Sequence, residues 1–169
     1  MSLIRYAIRL KAAVEAEDEA ALQELCFDLE YNQLGKKRWP TEVFDFFIDA
    51  LRDAQICRLK GSAGFLTSLY NDFDKFAPEQ RTVLLQVLND GADGFGDQML
   101  RHAAGDLLAR MYPVSVALHT FDHWMLRGTP HRLHMAQVGL EVLAIGGRLE
   151  PADAARVHAS LQRLEHRRD

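Results

Sequence analysis

Two histidines on one predicted helix have the spacing of metal ligands. His119 and His123 are four residues apart, and side chains at that spacing share a helix face, so that both imidazoles could hold one metal ion. His131 and His134 form a second pair that could complete a four-ligand site. The helix lacks the glutamate that follows the first histidine of a zinc-protease helix. We therefore expect a solvated polar face without metal or other cofactor, and a histidine-based metal-dependent enzyme is the minor alternative.

Aspartates form the second set of candidate residues. Asp45, Asp49 and Asp53 recur at every fourth position of one predicted helix, and Asp72 and Asp74 follow later in the chain. Like charges one turn apart cost a helix about 0.2–0.5 kcal/mol per pair, and a basic partner surface would explain why the chain keeps them. A solvated face is the alternative. We predict that these five aspartates contact a partner.

Other patterns that could carry catalysis or bind calcium fail on their spacing. Residues 90–97 look like a calcium loop, but Ala92 takes the third place and Arg101 the twelfth, where a calcium loop needs oxygen ligands. No nucleophile with a plausible base stands out, since every serine lies within or beside a predicted helix and neither cysteine has a nearby histidine in the sequence. We expect a protein that is not an enzyme.

The charge distribution favours a protein partner over a nucleic acid. Residues 1–97 hold 17 acidic and 11 basic residues, residues 98–169 hold 7 and 9, and all seven histidines lie after residue 100. An acidic front repels phosphate backbones and attracts a basic protein surface. The basic turn 35–40 contains Trp39, whose ring could stack on a base. It stands alone between acidic helices, and we expect Trp39 to fold onto the core.

The elements that position these residues are predicted to be helices. Apolar side chains recur at helical spacing along nearly the whole chain, with an interruption over 61–76. This pattern predicts an all-α fold of eight or nine helices in a single domain, residues 1–169. The expected N-caps are Asp18, Thr41, Asp97 and Thr129.

The cysteine pattern and the absence of long apolar runs indicate the compartment. Cys26 and Cys57 lie among apolar helical residues, which is typical of reduced core thiols, and a disulfide between them is the alternative. No stretch reaches the ~20 apolar residues of a membrane span, and the first residues lack the pattern of a signal peptide. We expect a cytoplasmic protein that does not bind membranes.

A weak internal repeat points to a fold family. Residues 101–109 and 136–144 are 35 residues apart, and both have small residues in the middle of the helix, which let a neighbouring helix approach closely. This pattern resembles the second helix of a HEAT-like repeat. The resemblance implies an α-solenoid of eight to nine short antiparallel helices. An irregular helical bundle is the alternative.

In overall character the chain also resembles HEAT-like bacterial immunity proteins. This resemblance rests on a small, acidic, all-helical domain without a signal segment, and no diagnostic motif carries it. It implies a non-catalytic module that neutralises a cognate toxin by binding it, with the aspartates pairing with basic groups of the toxin. An adaptor or scaffold subunit of a stable complex is the alternative.

Overall fold

α-Helices provide almost all of the regular structure of the chain. The computed structural model describes residues 2–167, except for the side chain of Arg127. The described helices are α1 (Ile4–Glu15), α2 (Glu19–Tyr31), α3 (Thr41–Leu51), α4 (Ala54–Cys57), α5 (Ala63–Asn71), α6 (Pro78–Gly91), α7 (Gln98–Met111), α8 (Val114–Arg127), α9 (Pro130–Ile145) and α10 (Pro151–His166). No strand occurs in the described range, so the all-α prediction is confirmed. Within that range no helix is long and apolar enough to cross a membrane.

One short element brings the described helices to ten, where the sequence predicts eight or nine. The helix α4 has four residues, which is too short to show a helical period in the sequence. Over 61–76 the helix α5 is followed by the 3₁₀ turn Phe73–Lys75, which matches the predicted interruption. A second 3₁₀ turn, Ala92–Gly94, follows α6.

Three of the four predicted N-caps are confirmed. The side chains of Asp18, Asp97 and Thr129 accept hydrogen bonds from backbone N–H groups three residues further on, at 3.0, 3.0 and 3.4 Å. The prediction for Thr41 is wrong. Pro40 occupies the cap position, and its carbonyl already accepts the first bonds of α3. Thr41 is therefore the first helical residue, and its hydroxyl makes no capping bond.

The chain divides into two compact units that also differ in charge. The units are Met1–Leu100 and Arg101–Asp169. The first holds 17 acidic and 11 basic residues, a net charge of −6, and the second holds 7 and 9, a net charge of +2. The single-domain expectation for residues 1–169 stays a prediction.

The core of the first unit forms around α3. Phe44, Phe47 and Ile48 are all buried, so α3 is covered on two sides, as its wide apolar stripe predicts. Trp39 packs against Phe47 and Phe76 with ring centroids 5.2 Å apart in both pairs. The helices α5 and α6 pack on α3. One narrow face of α3 is left to the solvent.

The second unit forms around α9. Both α8 and α10 pack on this helix, and its buried residues are spread around its circumference. A Cβ atom on Gly139 would lie 2.1 Å from Cζ of Phe121 on α8, and one on Gly105 of α7 would lie 2.6 Å from the Met135 carbonyl oxygen on α9. The small residues of the weak repeat therefore lie where helices approach closely, as predicted.

Candidate functional site

The exposed face of α3 is a row of carboxylates. Glu42, Asp45 and Asp49 lie at i, i+3 and i+7 of α3, which places them on one side of the helix. Asp53, which the sequence predicts on the same helix, instead follows α3 in an extended conformation as the N-cap of α4. All four side chains are exposed. We call these four residues the acidic ridge. The apolar residues of α3 fix its orientation by filling the core on the other sides. Three ridge residues were predicted from the sequence. Glu42 was missed, although its spacing from Asp45 and Asp49 follows the same helical pattern.

Little positive charge of the chain itself neutralises the acidic ridge. Arg52 approaches Asp49 at 3.7 Å, but both side chains are more than half exposed, and such pairs contribute at most about 1 kcal/mol. Asp53 also accepts a bond of 2.9 Å from the backbone N–H of Gln55 at the start of α4. Within the described residues Glu42 and Asp45 have no ion-pair partner. The ridge therefore keeps most of its negative charge for an external group.

Two adjoining hollows lie between α3 and α6, at the C-terminal end of the acidic ridge. They share Arg52, Asp90 and Gly91 and have volumes of about 170 and 240 Å³. Ligand pockets for small molecules have volumes of roughly 300–1,000 Å³. The two hollows fit a side chain of a partner better than a small-molecule substrate.

Neither cysteine has the reactivity of a nucleophile. Both Cys26 and Cys57 are buried and free, which confirms the prediction of core thiols and overturns the disulfide alternative. Burial raises the pKa of the Cys57 thiol to about 12 and that of Cys26 well above its usual range, with smaller contributions from Asp53 and Glu30 respectively. The Cys57 thiol donates weakly to backbone carbonyls at 3.3 and 3.5 Å. Neither thiol becomes a thiolate near neutral pH.

The remaining two predicted aspartates lie outside the acidic ridge. Asp72 has only 16% of its side chain exposed and pairs with Lys75 at 3.2 Å. It also accepts a hydrogen bond of 2.7 Å from Nε1 of Trp39. Asp74 is exposed on the 3₁₀ turn that follows α5. The predicted set therefore separates into three ridge residues, one exposed turn residue, and Asp72, whose carboxylate is already engaged.

The basic turn presents no exposed aromatic ring on which a nucleic-acid base could stack. Trp39 is 4% exposed, which confirms that it folds onto the core. Lys36 of the same turn donates to the buried Gln33 at 3.2 Å. Stacking on a base requires an open aromatic face, and the turn does not present one.

A polar cluster around Glu30 was missed by the sequence reasoning. Glu30 accepts a hydrogen bond of 2.8 Å from Asn71. Desolvation raises the pKa of the Glu30 carboxyl above its ordinary value. The Asn71 hydrogen bond and the Lys75 charge lower it in part, and the Asp72 charge raises it further. Residues 30 and 71 are 41 positions apart, and no sequence spacing links them.

The histidines of the second unit do not gather into a metal centre in the described part of the chain. His119 and His123 are both exposed on α8. His134 accepts a hydrogen bond at Nδ1 from Nε of Arg101, over 2.9 Å. Among the described residues no group of three or more histidine, cysteine or acidic side chains has the geometry to hold a metal ion.

The surface feature with the clearest binding chemistry is thus the acidic ridge with its adjoining hollows. It presents carboxylates in a row on and directly after α3, a geometry that suits basic side chains of a partner. A scan of protein-family models, a search of curated proteins and a search of solved structures each find no match to this chain.

Proposed function

We propose that this chain is a non-catalytic protein-binding module, an immunity protein that neutralises a cognate bacterial toxin by binding it. The observation that carries the proposal is the acidic ridge on and directly after α3, where Arg52 approaches one of the four exposed carboxylates, that of Asp49. A toxin that acts on nucleic acids or other anionic substrates has basic residues at its active site. A row of carboxylates would cover such a site.

We also propose that the helices form a HEAT-like α-solenoid of antiparallel helices. Support comes from the second unit, where α8, α9 and α10 pack in chain order. In the first unit Tyr6 accepts from Asn32 and Arg9 pairs with Asp28, which is the order expected of an antiparallel pair α1–α2. An irregular bundle is the alternative, and α5, which packs on both α2 and α3, favours it for the first unit.

The electrostatic mechanism makes a specific kinetic expectation. Exposed charges that are complementary across an interface mainly accelerate association, and salt screens this effect. Charge reversal of Asp45 and Asp49 should therefore slow association with the partner at low salt, with a smaller effect on dissociation. Neither side chain takes part in the core, and the variant should keep its fold.

The experiment combines partner capture with neutralisation of toxicity. The tagged chain is used to capture proteins from its native lysate at low and at raised salt. Each captured protein is then expressed alone, with the wild-type chain, and with Asp45→Lys/Asp49→Lys. The matched control is Glu15→Lys/Glu24→Lys, which changes the net charge by the same amount at exposed positions of α1 and α2.

Three results together would support the proposal. The captured protein should arrest growth when expressed alone, the wild-type chain and the control variant should restore growth, and the ridge variant should restore it poorly. A partner that is harmless alone would contradict the immunity function. Equal association rates for the ridge and control variants at low salt would contradict the assigned interface.

A second candidate function, an adaptor or scaffold subunit, draws on exposed apolar side chains in the first unit. Ile4 and Ile8 on α1 are 71% and 65% exposed, and Phe27 and Tyr31 on α2 and Leu34 in the turn that follows it are 60–64% exposed. Apolar surface of this kind is typical of a chain that has a permanent partner. Concentration-dependent self-association in sedimentation velocity, abolished by Ile8→Glu, would favour this function over the immunity protein.

The compartment follows from the same proposal. Both cysteines are free thiols in the structure, which suits the reducing cytoplasm. We therefore place the proposed protein–protein interaction in the cytoplasm and without nucleic acid, since Trp39 is buried and the exposed row on α3 repels phosphates.

A further inference from the structure

A cleft in the second unit is rich in arginine. It has a volume of about 280 Å³, close to the lower limit of pockets that bind small molecules. It lies between the C-terminal half of α8 and the helix α10. Its lining residues are Asp122, Met125, Leu126, Arg156, Arg163 and Arg167.

The three arginines share one side of α10. Arg156, Arg163 and Arg167 lie at i, i+7 and i+11, beside the stripe of buried residues that holds α10 against α9. The stripe fixes the rotation of the helix, so the guanidinium groups are directed toward α8. The packing of α10 therefore concentrates positive charge on one wall of the cleft.

Most of the hydrogen-bond donors of these guanidinium groups are not used by the chain itself. Arg156 pairs with Asp122, Arg163 donates to the Ser160 hydroxyl at 3.0 Å, and Arg167 donates to the Met125 carbonyl at 3.1 Å. A guanidinium has five N–H donors. In the part of the chain that the structure describes, each of the three makes a single hydrogen bond, and the other donors can bind an acceptor in the cleft.

The opposite wall of the cleft is partly apolar. Leu126 is 86% exposed and Met125 is buried beside it. Asp122 is the only carboxylate among the described lining residues, against three arginines. Planar arginine groups match the oxygens of a phosphate better than a single charge does. A ligand that fits has an anionic end on α10 and an apolar end on α8.

We infer that this cleft binds a small phosphate monoester whose organic part is apolar or aromatic. The phosphate oxygens accept hydrogen bonds from Arg156 and Arg163, and the organic part packs on Leu126. Arg167 holds the end of α8 in place through the Met125 carbonyl. The inference does not depend on the proposed function, because it uses no residue of the acidic ridge.

The test is isothermal titration of the full chain with three probes at low ionic strength. The probes are phenyl phosphate, inorganic phosphate and phenol. We expect phenyl phosphate to bind more tightly than inorganic phosphate, and phenol not to bind measurably. Replacement of Arg163 by alanine should lower the affinity for phenyl phosphate by about tenfold or more, because charge-assisted hydrogen bonds are lost.

Three further variants complete the test, and the first separates the two halves of the ligand. Leu126→Ala should lower the affinity for phenyl phosphate several-fold and leave the affinity for inorganic phosphate unchanged. Arg110→Ala is the matched control, because Arg110 pairs with Asp106 on α7 and does not line the cleft. It should change the affinity for phenyl phosphate by less than about twofold. Arg163→Lys, which keeps the charge without the planar group, should give an intermediate affinity and serves if Arg163→Ala does not fold.

Either of two results would overturn the inference. One is the absence of phenyl phosphate binding by the folded wild-type chain. The other is an equal loss of affinity in Arg163→Ala, or in Arg163→Lys if that variant replaces it, and in Arg110→Ala, which would indicate non-specific attraction to positive charge.

Discussion

The indole of Trp39 donates a hydrogen bond of 2.7 Å to the carboxylate of Asp72, which is 33 residues away in the chain. Trp39 is 4% exposed, and Lys75 approaches the same carboxylate at 3.2 Å. This contact ties the basic turn to the residues after α5. It also changes the interpretation of Asp72, which the sequence places among the partner-binding aspartates, because its carboxylate serves the fold.

Replacement of Asp72 by alanine should destabilise the protein. The variant leaves the buried indole N–H without its acceptor, and such a loss costs about 1–3 kcal/mol. We expect the free energy of unfolding in urea, followed by far-ultraviolet circular dichroism, to fall by that amount. Asp74→Ala is the control, since Asp74 is exposed, and it should change stability by less than about 0.5 kcal/mol. Equal effects of the two variants would contradict the structural role of Asp72.

The fold was predictable where the determining interactions are local. Asp18 and Asp97 cap the helices that their positions predict, because a capping residue acts on N–H groups only three residues away. The prediction that Thr41 is an N-cap is wrong for an equally local reason. Pro40 takes the cap position, so α3 begins one residue earlier than the position of Thr41 implies.

The candidate site was predictable only in part. The period of one helix placed Asp45 and Asp49 together, because residues on one helix have fixed spacing. The prediction that Asp53 lies on the same helix is wrong, because α3 ends at Leu51 and Asp53 caps α4. The period of one helix does not predict which residues of other helices it contacts. The bond from Trp39 to Asp72 and the bond from Asn71 to Glu30 span 33 and 41 positions, and each depends on how several helices pack.

Alanine at Gly105 or Gly139 should destabilise the second unit, although alanine favours helices by up to about 1 kcal/mol over glycine. A Cβ at Gly105 meets the Met135 carbonyl oxygen at 2.6 Å, so the backbones of α7 and α9 must separate. A Cβ at Gly139 meets the ring of Phe121 at 2.1 Å. Overpacking of this kind costs about 1–3 kcal/mol. We expect lower melting temperatures for both variants.

Gly146→Ala is the matched control for the two glycine variants. Gly146 has ordinary helical angles. The nearest atom to a Cβ placed on it would be the Val142 carbonyl oxygen of its own helix, at 3.2 Å. The melting temperature of the Gly146→Ala protein should stay near that of the wild type. Wild-type stability of Gly105→Ala would show that α7 and α9 are not packed as closely as described.

The two thiols should be protected from modification in the folded protein. Burial raises the pKa of Cys57 to about 12, so the reactive thiolate is scarce at pH 8, and Cys26 is buried as well. We expect reaction with a chromogenic disulfide reagent to be slower by roughly a hundredfold or more than in guanidinium chloride. Fast modification of one thiol without denaturant would indicate local opening around it. Cys57→Ser and Cys26→Ser would then identify which one reacts.

The stability of the first unit should depend on pH through Glu30. The pKa of this carboxyl is raised in the folded protein, chiefly by desolvation and partly by the Asp72 charge. The folded state therefore binds the proton more tightly than the unfolded state does. It follows that stability falls as the pH rises from the ordinary value of 4.5 through the raised pKa. Above that pH window the charged carboxylate lowers the stability of the folded protein by a constant amount.

Glu30→Gln should consequently stabilise the protein at pH 7. The amide removes the charge and keeps an oxygen that can accept from Asn71. We expect the stability difference from the wild type, measured by urea unfolding at several pH values, to be largest near neutral pH and to vanish on acidification. Glu24→Gln removes a charge from an exposed position of the same helix and is the control. A Glu30→Gln protein that is less stable than the wild type at pH 7 would show that the contacts with Asn71 and Lys75 outweigh desolvation.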